Sequence, residues 1–432
     1  MKTKKRINKK SVLVLITTTI TIFFLSAVSP IYASTAKKVP FLDSTQSIEI
    51  PNQKDVAGFI RFKDQWVIID SDSNLKSIKK SGESLWQVSP LISGQAGDGV
   101  ITAVTTDGTS LFITGLSQNP LTKTAITAPS PAPSASATAT TSPQVSPSPV
   151  STPTKKIPLV NPDNISQLDE IPFRKDLINI FVACLDSSGN LVSSINTSNE
   201  NQFIPTSIAV RDSKVFVSGN EQIGESGTRG AVYLFNDEGF ISSFRFGQSY
   251  TQFNKIVVNS STSFIVVGSS SENIANRKSS GNQDGIILTI SQSTGKILKI
   301  VRSSGPGAKR SWDYAEGELL VVGTSETKSL KESVISSFTP QGVVRWSTRY
   351  QKSDRAFVSD NCVAVSLLAA SSGLPFKATG PEIFVYTVDS KGAYQKGARL
   401  AKYQLLALTS APNRGCAVLS QSRSGSILLS FL

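Results

Sequence analysis

The sequence predicts an all-β chain folded as a seven-bladed β-propeller closed by an N-terminal outer strand, with a disordered Pro/Ser/Thr-rich insertion in one loop. Three observations predict it. Short alternating Val/Ile/Phe/Leu runs recur between polar turns, and nothing after the Pro-rich stretch reads as a long amphipathic helix. A ladder of glycines, Gly82, Gly189, Gly239, Gly295, Gly342 and Gly392, closes polar turns such as DSSG and TPQG at intervals of 107, 50, 56, 47 and 50. A second ladder, Gly115, Gly219, Gly268 and Gly323, ends strand-like runs such as LFITG and VFVSG at intervals of 104, 49 and 55. A period near fifty with four strands per unit marks a propeller, in which each blade is a small sheet that buries its faces only against its neighbours.

The chain opens with MKTKKRINKK and runs on through the apolar SVLVLITTTITIFFLSAV. Residues 1–33 read as a secretory signal with cleavage after Ile31-Tyr32-Ala33. An uncleaved anchor stays open as well, because about 18 apolar residues can span a bilayer. Either way residues 34–432 are expected to form one propeller outside the cytoplasm, extracellular or attached to the cell envelope. No later stretch is apolar enough to span a membrane, and no Cys follows the apolar run to carry a bacterial lipid anchor. Removing the six cations of the signal takes the net charge from +13 to +7. Spread over the mature chain, that charge suits anionic envelope polymers but is too dilute for nucleic-acid binding.

Blade 1 is read from DVAGFIRF, QWVIIDS, LKSIKK and LWQVSPL. Blade 2 has inner strands GVITAVTTD and SLFITGLS, yet its third strand, INIFVACLD, comes only after a Pro/Ser/Thr-rich stretch. The doubled gap in both ladders falls there. Residues 119–175 are therefore expected to be an insertion in one connection of blade 2, with low complexity over 128–154, and not a domain boundary. Residues 34–127 alone would hold too few strands to close a ring. Blade 3 runs from TSIAVRD to FISSFRFG, blade 4 from NKIVVNS to ILKIVRS, blade 5 from SWDYAEG to VVRWSTRY, and blade 6 from RAFVSDN to AYQKGARL. Blade 7 has YQLLALTS, GCAVLSQ and GSILLSFL, one strand short. QSIEIPN, near the start of the mature chain, is expected to supply it and latch the ring, removing open sheet edges.

The stretches INIFVACLDSSGNLVSSI, TSIAVRDSKVFVSG and GVVRWSTRY resemble the bacterial seven-bladed propeller repeat called SBBP. The resemblance covers most of residues 176–350 and fades in blades 1, 6 and 7; it implies the propeller fold. Trp86 and Trp346 each stand four residues after a ladder glycine, as in quinoprotein-type propellers, but the Ala-x-Asp that precedes the glycine there is missing. Both are read as outer-strand packing.

The chain has no histidine, which excludes Ser-His-Asp and Cys-His nucleophilic sites and every His-based metal site. No Gly-rich phosphate loop joins a strand to a helix. DSDSN, Asp70 to Asn74, starts like a calcium loop, but Leu75 stands where the sharp turn needs Gly, so a solvated turn is expected. Of the three cysteines, Cys184, Cys362 and Cys416, at least one is unpaired; each stands in an apolar run, and Cys362 and Cys416 can pair only if their strands are neighbours. The connections on one rim, including EQIGESGTR, SENIANRKSSGNQD and ASSGLPFKATGP, are longer than those on the other, and long loops on one rim commonly carry binding. Lys54, Arg310, Arg355 and Lys402 enter inner strands from that rim and are the candidate binding cations at the channel mouth. The expected function is a non-catalytic binding module for an envelope protein or an anionic polysaccharide, monomeric, with no cofactor, no metal and no nucleic acid. The alternative is a carbohydrate-active hydrolase or lyase using channel-mouth carboxylates, with Asp55, Asp98 and Asp354 just before inner strands.

Overall fold

The computed structural model describes residues 41–42, 47–122, 174–316, 319–370, 378–401 and 404–432. Among them seven sheets follow one another along the chain. Their first strands are Gly58–Phe62, Gly99–Thr106, Phe203–Arg211, Thr251–Val257, Lys309–Glu316, Ser353–Ser359 and Gln404–Ala411. Each lies against the first strand of the next blade, and the seventh lies against the first. That closes a ring around an axis, so the strands of every blade are lettered a to d outward. The core is distributed between blades. Among the described residues seven buried apolar clusters occur, one at each blade-to-blade interface; the cluster between blades 1 and 2, for instance, joins Val67 and Ile69 to Ile113 and Phe181. Each blade is thus stable only with its neighbours in place.

The second glycine ladder has a steric cause. Strand a of blades 2 to 5 carries a β-bulge, with register shifts at Ile101/Ala103, Pro205/Ser207, Phe253/Lys255 and Trp312/Tyr314, opposite Gly115, Gly219, Gly268 and Gly323. The bulge pushes a strand-a carbonyl over the glycine. A Cβ on Gly268 would lie 1.9 Å from the carbonyl oxygen of Gln252. The first ladder occupies c–d turns with positive φ, 82° at Gly189 and 79° at Gly392. Each of these two also carries an outer-strand tryptophan of the preceding blade on its bare Cα, Trp86 on Gly189 and Trp346 on Gly392. Trp86 Nε1 donates to the Ser187 carbonyl at 2.9 Å. Both tryptophans are therefore interblade packing.

In blade 2, strand b (Leu111–Ser117) pairs directly with strand c (Asn179–Leu185). The chain between them leaves and re-enters one b–c connection. Its described ends are tied to the blade: Leu121 is buried with its N–H on Asn196 Oδ1 at 2.8 Å, and Arg174 pairs with Asp98 at 2.5 Å. Residues 123–173, which include the low-complexity stretch 128–154, lie outside the described residues, as does the predicted signal 1–33.

Blade 7 takes its outer strand from the other end of the chain. Ser47–Glu49 pairs antiparallel with Ile427–Phe431, and the Ile50 N–H donates to Ile427 O at 2.9 Å. Ile50 is 2% exposed, and Lys76 Nζ of blade 1 donates to the Pro51 carbonyl beyond it. A feature the sequence reading did not contain is a fifth strand on blade 6, where Phe41–Leu42 runs parallel to strand d, Tyr394–Ala401. Cys362 and Cys416 are joined in a disulfide that staples strand b of blade 6 (Cys362–Leu367) to strand b of blade 7 (Gly415–Gln421). Cys184 is unpaired and only half-buried, more open than its apolar run suggested. No helix among the described residues is long and apolar enough to cross a membrane.

Candidate functional site

All seven inner strands contribute to a narrow cavity of about 120 Å³ on the axis, its wall including Thr102, Thr206, Asn254 and Leu406. Beyond it, on the rim of short a–b hairpins, a shallow hollow of about 460 Å³ holds Arg61, Lys63, Lys255 and Asp360. A cavity of about 540 Å³ opens on the opposite rim and is built by blades 3 to 6. Its walls are ends of b strands, starts of c strands and the entries of a strands. The long-connection rim therefore carries a concave site, though not for the expected reason in blade 3. There EQIGESGTR is no loop: strands Lys214–Ile223 and Gly227–Asn236 continue through it as a paired hairpin with a short turn.

Strand a of blade 5 dominates the cavity, contributing Arg310, Ser311, Asp313 and Tyr314. Asp313 is the bulge residue, outside the regular ladder. It meets the bulge residue of blade 4: Asn254 Nδ2 donates to Asp313 Oδ1 at 3.1 Å, and Ser311 Oγ donates to the same oxygen at 2.9 Å. Asp313 keeps a partly exposed edge toward the cavity, with protein atoms enclosing its other sides. Burial pushes its carboxyl up to about 6, against the opposing pull of those two hydrogen bonds and of Lys331.

A row of ion pairs surrounds this rim. In blades 4, 5 and 6 an acid early in strand c pairs with an arginine late in strand d: Asp284 with Arg302 at 2.9 Å, Glu332 with Arg349, and Glu382 with Arg399 at 3.2 Å. In blade 3 the acid comes from strand b instead, and Glu221 binds both Arg229 at 2.6 Å and Arg245 at 3.0 Å. Glu221 and Asp284 have fully buried side chains, so these pairs satisfy charges that would otherwise be costly to bury. Arg310 differs from all of them. It is half-buried, makes no side-chain hydrogen bond or ion pair with a described residue, and its Nε is buried without a partner. Burial first, and then the nearby Arg349, lower its pKa, while Glu332 and Asp284 act on it from a distance in the opposite direction.

Of the four cations expected at the channel mouth, Arg310 and Arg355 line this cavity together. Lys54 is exposed and outside it, and Lys402 lies outside the described residues. Asp354 also lines the cavity, 3.7 Å from Arg355. The other two candidate carboxylates have local work. Asp98 binds Arg174 and accepts the Gly99 N–H, and Asp55 accepts the Ser71 N–H at 2.7 Å. Asp70 of DSDSN accepts the N–H groups of Asp72 and Asn74 and so closes a turn. Sequence reasoning missed Asp313 and the acid–arginine row. The row had a signal, since Asp284, Glu332 and Glu382 precede their arginines by 18, 17 and 17 residues.

Solved structures share this architecture at low identity. The chain is similar to Raptor from Chaetomium thermophilum, with a TM-score of 0.51 at 9% identity over 91% of this chain and 29% of that one. It is also similar to BamB from Moraxella catarrhalis (TM-score 0.39, 11% identity, 89% and 96% covered) and to a quinohemoprotein alcohol dehydrogenase from Comamonas testosteroni (0.46, 9%, 91% and 78%). No protein-family model and no curated protein matches the sequence. The likeness carries the propeller fold alone; the count of seven blades is this chain's own.

Proposed function

We propose that the protein is an exported or envelope-associated propeller that acts as a monomeric, non-catalytic binding module for a protein or polysaccharide partner. The observation that carries this reading is the cavity of about 540 Å³ on the long-connection rim, which contains an arginine without a side-chain partner among the described residues. Strand ends build its wall, so the site is pre-organised by the ring and needs little ordering on binding. The signal expected at residues 1–33 supports export. The disulfide between blades 6 and 7 suits an oxidising compartment. Immobilised protein incubated with envelope extract should retain a partner that the double variant Arg310→Gln, Arg355→Gln releases. Equal retention by both forms would remove the cavity from the reading.

A second reading, a carbohydrate-active hydrolase or lyase, is favoured by one observation. Asp313, its carboxyl pushed up to about 6 by burial, lines the same cavity as Asp354, and two carboxyl groups in one cavity are what such chemistry needs. Turnover of bacterial or algal polysaccharides that disappears in Asp313→Asn or Asp354→Asn would replace the binding reading with this one.

A further inference from the structure

We propose that the cavity formed by blades 3 to 6 takes a carboxylated sugar, a uronic acid residue of a polysaccharide, and that Arg310 is the group that holds its carboxylate. The inference rests on the binding reading above and specifies its ligand.

Charge balance is the first argument. Around Arg310 the electrostatic neighbours are Arg349, Glu332 and Asp284. Both acids are already committed, Asp284 to Arg302 and Glu332 to Arg349. That cluster therefore holds three guanidinium groups against two carboxylates, with Arg310 the member that faces the cavity; the lining as a whole, Lys309, Arg310, Lys331 and Arg355 against Asp313, Glu326 and Asp354, likewise carries one cation in excess. A partly desolvated guanidinium with an unsatisfied Nε is unfavourable unless an anion completes it. Its planar fork matches a carboxylate in two parallel hydrogen bonds.

The rest of the lining selects among carboxylates. Hydroxyls of Ser269, Ser271, Ser311 and Ser333 surround the site, as a ligand with many hydroxyls of its own requires. Tyr250, 64% exposed at the edge, offers a flat face for a sugar ring. An acidic peptide would instead call for an apolar anchor pocket or a free strand edge, and this lining is mostly polar. The cavity volume, about 540 Å³, suits a short oligosaccharide segment.

The test is calorimetric titration of the full chain with oligomers of galacturonate, glucuronate-containing hyaluronan and alginate, alongside methyl-esterified oligogalacturonate, oligoglutamate and sodium sulfate. Saturable binding to at least one uronate oligomer is expected. For oligogalacturonate, esterification should weaken it about tenfold or more, and Arg310→Gln should weaken any such binding about tenfold or more, as loss of a charge-assisted contact requires. Lys54→Gln should leave it unchanged. Should Arg310→Gln fold poorly by melting, Arg310→Lys keeps the charge without the fork and should still lose most of the affinity. The inference is overturned if no uronate oligomer binds, if the ester binds as well as its free acid, if oligoglutamate binds as well as the uronate oligomer, if sulfate alone competes at equal concentration, or if both Arg310 variants bind like wild type. None of these results touches the broader reading, which stands or falls on retention of a partner from envelope extract.

Discussion

Removing the side chain of one latch residue should cost more than removing a whole stretch of the insertion. Ile50 is 2% exposed and packs among Trp66, Ile68, Ile78, Leu419, Ile427 and Leu429, at the seam where blade 7 meets blade 1. Truncating such an isoleucine to alanine costs about 2 to 5 kcal/mol, the lost transfer energy plus the cavity left behind. Deleting residues 47–52 removes Ile50 together with Ile48, the ladder to Ile427–Phe431 and the Lys76 contact to Pro51. That approaches the total stability of an ordinary domain, about 5 to 15 kcal/mol. Deleting residues 128–154 instead roughly halves one b–c connection, and loop closure then changes by only about 0.6 kcal/mol. Urea unfolding followed by tryptophan fluorescence should give a midpoint well below wild type for Ile50→Ala, a largely unfolded latch deletion, and a midpoint near wild type for the loop deletion. If Ile50→Ala and the loop deletion unfold together, ring closure through this strand is wrong.

Three further outcomes follow from the geometry. The Cys362–Cys416 disulfide closes 54 residues, so the double serine variant should lose up to about 4 kcal/mol of stability in oxidising buffer; wild type in dithiothreitol should match it, and a reductant-insensitive midpoint would refute the staple. Asp313 is raised from 3.8 to about 6, so the folded protein keeps a proton that the unfolded chain has released between those values; stability is full below about pH 4, falls as pH rises through that window, and stays lower above it. Asp313→Asn should therefore stabilise the protein at pH 7.5 by up to about 3 kcal/mol and do nothing at pH 4, and equal effects at both would show that the carboxyl is not perturbed. Gly268→Ala forces a Cβ to 1.9 Å from a backbone oxygen and should cost about 3 kcal/mol or more, whereas Gly380→Ala, with nothing within 4 Å, should be close to neutral by thermal melting.

What was legible in the sequence is what repeats. The two glycine ladders are visible because the same constraint recurs in blade after blade: a left-handed turn at strand c–d in one, and a carbonyl bulged over a bare Cα in the other. The place of the insertion followed from the same periodicity, and the latch from a blade one strand short. Features without a repeat were silent. Phe41–Leu42 adds a parallel strand of two residues to blade 6, too short for any alternation to register. The bulge itself cannot be read from strand a, whose residues at that point are as different as Thr102, Thr206, Asn254 and Asp313.

The site was legible by halves for the same reason. A position just inside an inner strand told which rim a charge lies on, and Arg310 and Arg355 were found that way. Whether a charge is free for a ligand depends on who neutralises it, and the neutralising groups come from other strands and other blades. Asp98 looked equal to Asp354 along the chain, yet Arg174, 76 residues away, occupies the first, while the second faces the cavity. Arg302 and Arg310 are eight positions apart in similar company, yet Asp284 takes the first and leaves the second without a partner among the described residues. A candidate binding residue in a propeller of this kind is therefore best sought by subtraction. Once each blade's acids have been assigned to that blade's own arginines, an arginine left over in the cavity among the described residues, here Arg310, is one whose charge the fold has not used.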